Sequence, residues 1–288
     1  MILSALKPLV ERVPFVARLF RTMRDSRALN DEFRTNPHGV RLIGNRSMQD
    51  GSFEPVETAI VQGLLREVEV VINIGANIGY YATLARRAGK YLVAVEPLPL
   101  NLRYLLRNLW ANDGVRDTEV YPVAVTDTSG VVALFGANTG ASLVLGWAGA
   151  PTHTTTLVPG TTIDILVGER FSGRRCLVIM DVEGAEFAAL QAATHLLDAV
   201  PAPTWMIEIV KEGNTADRKI NPHLLSTFDL FWSRGYCAVS VADTATTVTR
   251  ETIAAIAAGG VDTIPTYNFL FTKPSAGAAG SSRDGGVS

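Results

Sequence analysis

Residues 68–89 read VEVVINIGANIGYYATLARRAG, and three changes of texture within them decide the fold. VEVVINI is a β-branched run that fits a pleated, half-buried or buried strand. Glycine then ends it at Gly75 and returns at Gly79, where the backbone must turn sharply. YYATLARRA has helical spacing and closes on Gly89, a usual residue just past a helix end. The segment predicts a strand, a tight turn and a helix.

The same alternation runs outward on both sides. Upstream, PVETAIVQGLLR (55–66) predicts a helix with Pro55 in its first turn. Downstream come strand YLVAVEP, helix LNLRYLLRNLWAN, strand TEVYPVAVT, a glycine-rich stretch from Gly136 to Gly160, strand CLVIMD, helix AEFAALQAATHLLD and strand TWMIEIV. Strands alternating with helices specify parallel βαβ units with right-handed crossovers, hence a doubly wound, Rossmann-like α/β sheet. Helix HLLSTFDLFWSRG and the strands YCAVSVA and TYNFLFTK predict an antiparallel C-terminal edge on this mostly parallel sheet. We expect an N-terminal extension over 1–50, one catalytic domain over 51–273 and a disordered tail, PSAGAAGSSRDGGVS, over 274–288.

The 288 residues are 47% hydrophobic and 19% charged, enough to fill a large core. With 26 basic and 28 acidic side chains, nothing global draws the chain to polyanions, and nucleic acid is not expected as a partner. Cys176 and Cys237 lie beside apolar stretches with no CxxC or Cys/His cluster, so buried free thiols and a cytoplasmic location are expected. In residues 1–30 the apolar Leu6, Leu9, Val13, Val16 and Phe20 form a rough helical stripe, with Lys7, Arg12 and Arg18 turned away. That stripe predicts packing on the domain or a partner subunit, as in a homo-oligomer, with peripheral membrane contact as the alternative.

Glycines at the first strand-to-helix turn also let a ligand approach without meeting a Cβ. Glu96 ends the second strand, 21 residues after Gly75, where an acid can accept from both ribose hydroxyls. A helix cap is its alternative role, although Pro97 and Asn101 would already serve that helix. The spacing GxxxG lacks the middle glycine that brings a helix N-terminus onto a pyrophosphate. A nucleoside without a diphosphate, such as S-adenosylmethionine, fits better, with Ala124 and Val125 lining an adenine slot.

NIGANIGYY (73–81), EPLPLNLRYLLRNL (96–109), AVTDTSG (124–130), DVEGAE (181–186), WMIEI (205–209) and NFLF (268–271) together resemble the FkbM family of S-adenosylmethionine-dependent methyltransferases. The resemblance implies a class I methyltransferase sheet, cofactor binding by the first two motifs, and O-methylation of a sugar, polyketide or related acceptor. The chain departs from the family pattern at Asn73, where aspartate is usual, and at Ile179, where lysine is usual. The candidate cofactor residues are Asn73, Gly75, Ala76, Asn77, Gly79, Glu96, Pro97, Asn101, Ala124, Val125 and Asp181.

Methyl transfer to a hydroxyl gains from a general base within hydrogen-bond reach. Asp181 and Glu183 follow the fourth strand and Glu208 lies in the fifth, so all three can face the carboxyl edge where ligands bind in open α/β sheets. They are the candidate catalytic residues. Glu186 is read instead as a cap on the helix beginning near Gly184. Asp181 and Glu208 can alternatively hold a hard divalent ion, although no further ligand is evident. His153 and His223 are loop candidates for the base, whereas His38 and His195 lack motif context. The stretch from Gly136 to Gly160 is long for a connection and predicts a lid or binding loop; Ser142 and Leu143 resemble a family element there. Trp147 either stacks on a sugar or fills the lid's own core. Two rivals stay open at this point: an NAD(P)-dependent oxidoreductase, which Glu96 would serve equally well, and a non-catalytic interaction module on the same fold.

Overall fold

The structure, a computed structural model, describes residues 32–136, 140–147, 155–212 and 220–274. Residues 1–31 of the extension, with the helical stripe read there, and all of the tail after Pro274 lie outside these residues. The described chain opens with a short antiparallel ribbon, β1 (Arg34–Thr35) and β2 (Arg41–Leu42), followed by helices α1 (Arg46–Asp50) and α2 (Pro55–Leu64). Asn45 caps α1 by accepting from Ser47 N and Met48 N, and Pro55 starts α2 as expected.

The expected alternation follows: β3 (Val70–Ile74), α3 (Tyr80–Arg87), β4 (Tyr91–Val95), α4 (Pro99–Trp110) and β5 (Thr118–Tyr121). A small insertion comes next, with β6 (Ala124–Val125), β7 (Gly130–Phe135) and β8 (Thr155–Thr161). The main sheet resumes through α5 (Ile163–Leu166), β9 (Cys176–Met180), α6 (Glu186–Gln191), α7 (Thr194–Leu197) and β10 (Thr204–Glu208). The chain then forms α8 (Leu224–Trp232), β11 (Cys237–Ser240), β12 (Asp243–Val248), α9 (Arg250–Ala257) and β13 (Asn268–Thr272).

Among the described residues the main sheet has eight strands in the order β12-β11-β13-β10-β9-β3-β4-β5. Strands β5, β4, β3, β9 and β10 are parallel neighbours, giving the doubly wound sheet expected from the alternation of strands and helices. The chain winds outward from β3 to β5 and then restarts on the other side of β3 with β9. The order therefore reverses between β3 and β9, the place where open α/β sheets bind ligands beyond the strand ends. Ile74 is registered against Met180 there, and Asp181 N donates to Ile74 O at 3.1 Å.

Period-two alternation splits the sheet's side chains between two apolar layers. Val70, Ile72 and Ile74 of β3 face one layer with Val178, Trp205 and Phe269. Val71 faces the other with Leu92, Ile179, Met206 and Leu270. Complete burial of each such side chain contributes roughly 1.5–3 kcal/mol. Val40, Leu42, Ile43 and Met48 join the second layer, and Asn108 of α4 fixes them by accepting from Ile43 N at 2.9 Å and donating to Ile43 O at 3.2 Å.

Three details differ from the sequence reading. The C-terminal strand is antiparallel as expected, yet it lies inside the sheet between β10 and β11, and the edge is β12. Its run Phe269, Leu270, Phe271 is buried on both faces, which an edge would not require. The glycine-rich stretch is partly strand: β8 pairs antiparallel with β7 and parallel with β6 in a separate three-stranded sheet. Short polar residues such as Thr154, Thr155 and Thr156 hid it, although threonine favours strands. Finally, Cys176 is buried as expected but Cys237 is exposed.

Candidate active site

Glu96 sits one residue past β4 and is only 4% exposed. Its Oε2 accepts from Asn77 N at 2.9 Å, and its Oε1 accepts from Leu98 N at 2.9 Å and Asn101 Nδ2 at 3.2 Å. Burial raises its pKa, and these three donors oppose the rise. Of the roles read from the sequence, the contacts to Leu98 and Asn101 brace the entry to α4, and the same carboxylate lines a cleft. The cleft encloses about 570 Å³ including its open mouth. Gly75, Asn77, Pro97, Asn101, Ala124, Val125 and Asp181 line it together with Leu134, Leu143 and Glu183.

This lining fits a nucleoside with a polar tail. A fixed carboxylate stands at one side, Val125, Leu134 and Leu143 make an apolar wall, and Asn77 Oδ1 is buried with no hydrogen-bond partner. Asn77 adopts a left-handed φ of 52°, which asparagine tolerates better than most residues. Ala76 and Asn73 do not line this cleft; both face a second cavity described below. Gly79 has φ 92° and caps α3. A Cβ there would lie 2.6 Å from Leu105 Cδ1, so its role is close packing of α3 on α4.

Gly75 is required for a reason the sequence did not show. Its φ is 77°, and a Cβ would lie 1.7 Å from the carbonyl oxygen of Asp181. The glycine is needed first by the neighbouring strand end and only then by a ligand.

Asp181, Glu183 and Glu186 follow β9 within six residues and do three different things. Asp181 lies between the two cavities and lines both. Burial, then the charges of Glu208, Glu183, Glu186 and Glu54, hold its pKa well above the ordinary carboxylate range. Glu183 has a left-handed φ of 54°; its Oε2 accepts from Trp147 Nε1 at 2.7 Å and its backbone oxygen accepts from Ser142 Oγ at 2.5 Å. Glu186 is 2% exposed and is the first residue of α6, and its side chain reaches back to accept from Gly184 N at 2.9 Å, ahead of the cap residue Ala185. Burial pushes its pKa up to about 7.

Trp147 is 4% exposed and lies against Gly184, where a Cβ would come within 2.5 Å of its ring. Its ring is thus held by the turn after β9, through Gly184 and Glu183, and not by a core of the lid itself. Residues 140–147, which with strand β8 are the described part of the stretch read as a lid or binding loop, are tied to the strand end by Ser142 and Trp147.

The second cavity opens on the other side of Gly75 and Asp181. Glu208, at the end of β10, lines it with Glu54, Phe53, Tyr80, Tyr81, Met206 and Asn268. Burial and the charges of Glu183 and Glu54 push the Glu208 pKa up to about 7. Glu54 precedes α2 with φ 40° and accepts from the Tyr81 hydroxyl at 2.6 Å; burial raises its pKa. Sequence reasoning missed Glu54, Tyr81 and Asn268. The available signals were the aromatic–acid pair Phe53-Glu54 directly before Pro55 and the two tyrosines closing NIGANIGYY.

The described histidines stand apart from both cavities. His223 is exposed and its ring stacks on Phe187 at 4.6 Å. His38 contacts Gln62 Nε2 at 3.1 Å and His195 lies 3.6 Å from Glu169. His153 is outside the described residues. Among the described residues, no three His, Cys, Asp or Glu side chains are placed to hold one metal ion, and no helix is long and apolar enough to cross a membrane.

No curated protein matches the sequence. Solved structures similar in shape include the methyltransferase FkbM from Methylobacillus flagellatus KT (16% identity, 71% of this chain and 44% of that chain, TM-score 0.38). Others are the SAM-dependent methyltransferase from Agrobacterium tumefaciens (10% identity, 82% and 68%, TM-score 0.42) and an O-methyltransferase family protein from Burkholderia thailandensis (16% identity, 80% and 58%, TM-score 0.34). The chain spans less than half the length of the M. flagellatus protein. The decisive finding is in sequence: the pattern of the methyltransferase FkbM domain matches residues 73–236, more than half of the chain and both motifs that build the cleft. With that match S-adenosylmethionine is the cofactor implied, the NAD(P) reading falls, and the chain belongs to the FkbM methyltransferase family.

Proposed function

We propose that the protein transfers a methyl group from S-adenosylmethionine to a hydroxyl of a small acceptor, of the sugar, glycoconjugate or polyketide type. The observation that carries this reading is the meeting of two cavities at Gly75, Asn77 and Asp181. One is lined by Glu96 and apolar side chains, and the other ends on Glu208. When bound, the cofactor supplies a methyl carbon already activated by sulfonium, which leaves positioning as the main task of the chain.

In this reading Glu96 and Asn101 hold the ribose side, with Pro97, Ala124 and Val125 around the base. Gly75, Ala76, Asn77 and Asn73 border the polar tail, and Gly79 sets the helix behind them. Asp181, standing between the cavities, orients or deprotonates the acceptor hydroxyl, and Glu208 completes the polar rim. A carboxyl whose pKa is raised toward the working pH is the better proton acceptor. Glu183 is an alternative base, although its side chain already accepts from Trp147 and lines the cofactor side. A cytoplasmic location, and packing or peripheral membrane contact through residues 1–30, belong to the same proposal.

The test is methyl transfer from S-adenosylmethionine labelled in its methyl group to a panel of glycosides and polyketides. Label recovered as a methyl ether supports the reading. Tight cofactor binding with no product from any acceptor would instead make the protein a non-catalytic module.

A further inference from the structure

Ser142 and Trp147 line neither cavity, yet the polar atoms of both side chains are engaged by the turn after β9. Ser142 is fully buried. Its backbone pairs with Phe135 at the end of β7, its N donating to Phe135 O at 3.0 Å and its O accepting from Phe135 N at 2.8 Å. Its Oγ donates to Glu183 O and accepts from Val144 N at 2.9 Å. Trp147 Nε1 donates to the Glu183 carboxylate at 2.7 Å, and the indole ring lies over Gly184.

The turn is shaped to receive both side chains. Glu183 and Gly184 are left-handed in succession, with φ 54° and 93°, and for glutamate this conformation persists only where surrounding contacts hold it. Two stretches of the cleft wall meet at these contacts. Ala141 and Leu143 line the cleft from one stretch, and Asp181, Val182, Glu183 and Ala185 line it from the other. Buried hydrogen bonds are costly to leave unmade, so the contacts of Ser142 and Trp147 fix the spacing between the two stretches.

We infer that Ser142 and Trp147 are positioning residues for the cofactor: acting through Glu183 and Leu143, they seat one wall of the cleft and set cofactor affinity without touching the cofactor. This rests on the reading of the cleft as the S-adenosylmethionine site, which binding of S-adenosylhomocysteine to the unsubstituted protein tests separately.

The experiment is calorimetric titration of the full chain with S-adenosylhomocysteine. Trp147→Phe keeps an aromatic ring and removes the indole N–H, whereas Ser142→Ala removes one hydroxyl. Each should weaken binding about five- to tenfold, the scale of one lost hydrogen bond. Double variants test the route, because groups that act through a shared partner are not additive. Once Leu143→Ala or Glu183→Ala is present, Trp147→Phe should cost a further factor of about two or less. Glu183→Gln still offers the indole an acceptor oxygen and should stay within about threefold of the unsubstituted protein, well above Glu183→Ala. Should Trp147→Phe not fold, Ser142→Ala carries the same comparisons.

Unchanged affinity in both Trp147→Phe and Ser142→Ala overturns the inference. So does a loss from Trp147→Phe that is as large beside Leu143→Ala and Glu183→Ala as without them, since the tryptophan would then serve only the fold. Glu183→Gln binding as weakly as Glu183→Ala overturns it as well, because the indole contact would not be what Glu183 contributes. An unsubstituted chain that binds no S-adenosylhomocysteine overturns the cofactor reading itself, and the inference with it.

Discussion

At Glu96 one buried carboxylate is shared by three protein donors, so replacing it disturbs more than a ligand contact. Glu96→Ala should weaken S-adenosylhomocysteine binding by roughly 1.5–3 kcal/mol, the range for hydrogen bonds to a charged group. Calorimetry showing unchanged affinity would remove Glu96 from the site. For the chemistry, Asp181→Asn and Glu208→Gln should each lower turnover roughly 10²- to 10⁴-fold, the usual share of acid–base catalysis, with much smaller effects on cofactor affinity. Turnover should rise with pH through about 7, because Glu208 titrates there and the Asp181 pKa is also raised. A flat profile from acid to neutral pH, or full turnover in both variants, would show that neither carboxylate is the base. Asp181, Glu208 and Glu96 were legible in the sequence because each lies at the carboxyl end of a strand. Glu54 was not, because the local pair Phe53-Glu54 does not itself say that the turn before α2 faces those strand ends.

At the scale of elements, the turn after β3 is built around contact with the next strand over. From the sequence Gly75 reads as a turn residue that leaves room for a ligand. The 1.7 Å approach to Asp181 and the φ of 77° make any side chain there a lesion of the β3–β9 junction as well. Even Gly75→Ala should lower stability by about 2 kcal/mol or more, since it combines strain at positive φ with backbone overlap. Chemical denaturation with an unchanged midpoint would contradict this. The strands of the main sheet were readable as apolar runs, including β13 but not the polar, exposed β12. The position of β13 was not, because strand order depends on long-range pairing that periodicity does not encode. Strand β8 was hidden for a different reason: its pattern alternates exposed and buried residues through threonine, proline and glycine, which resemble a loop in composition.

For the whole molecule, the clustering of raised carboxyl pKa values at one sheet edge sets how stability depends on pH. Glu186 and Glu208 titrate near 7 in the folded chain, whereas in the unfolded chain glutamate titrates near about 4.3. Between these values the folded state keeps protons that the unfolded state has lost, so raising the pH favours unfolding. The melting temperature should therefore fall from about pH 5 to about pH 7.5, then level off, and Glu186→Gln should flatten part of the fall. A melting temperature that rises over that window would contradict the electrostatics of the site.

The central claim is that the cleft between β3 and β9 holds S-adenosylmethionine against Glu96 with its reactive end toward Asp181. A crystal structure with S-adenosylhomocysteine tests it most directly. The account predicts ribose hydroxyls within about 2.6–3.2 Å of the Glu96 carboxylate, the base beside Ala124 and Val125, and the sulfur facing Asp181 and the acid-lined cavity. A ligand bound elsewhere, or one whose ribose makes no contact with Glu96, would contradict it.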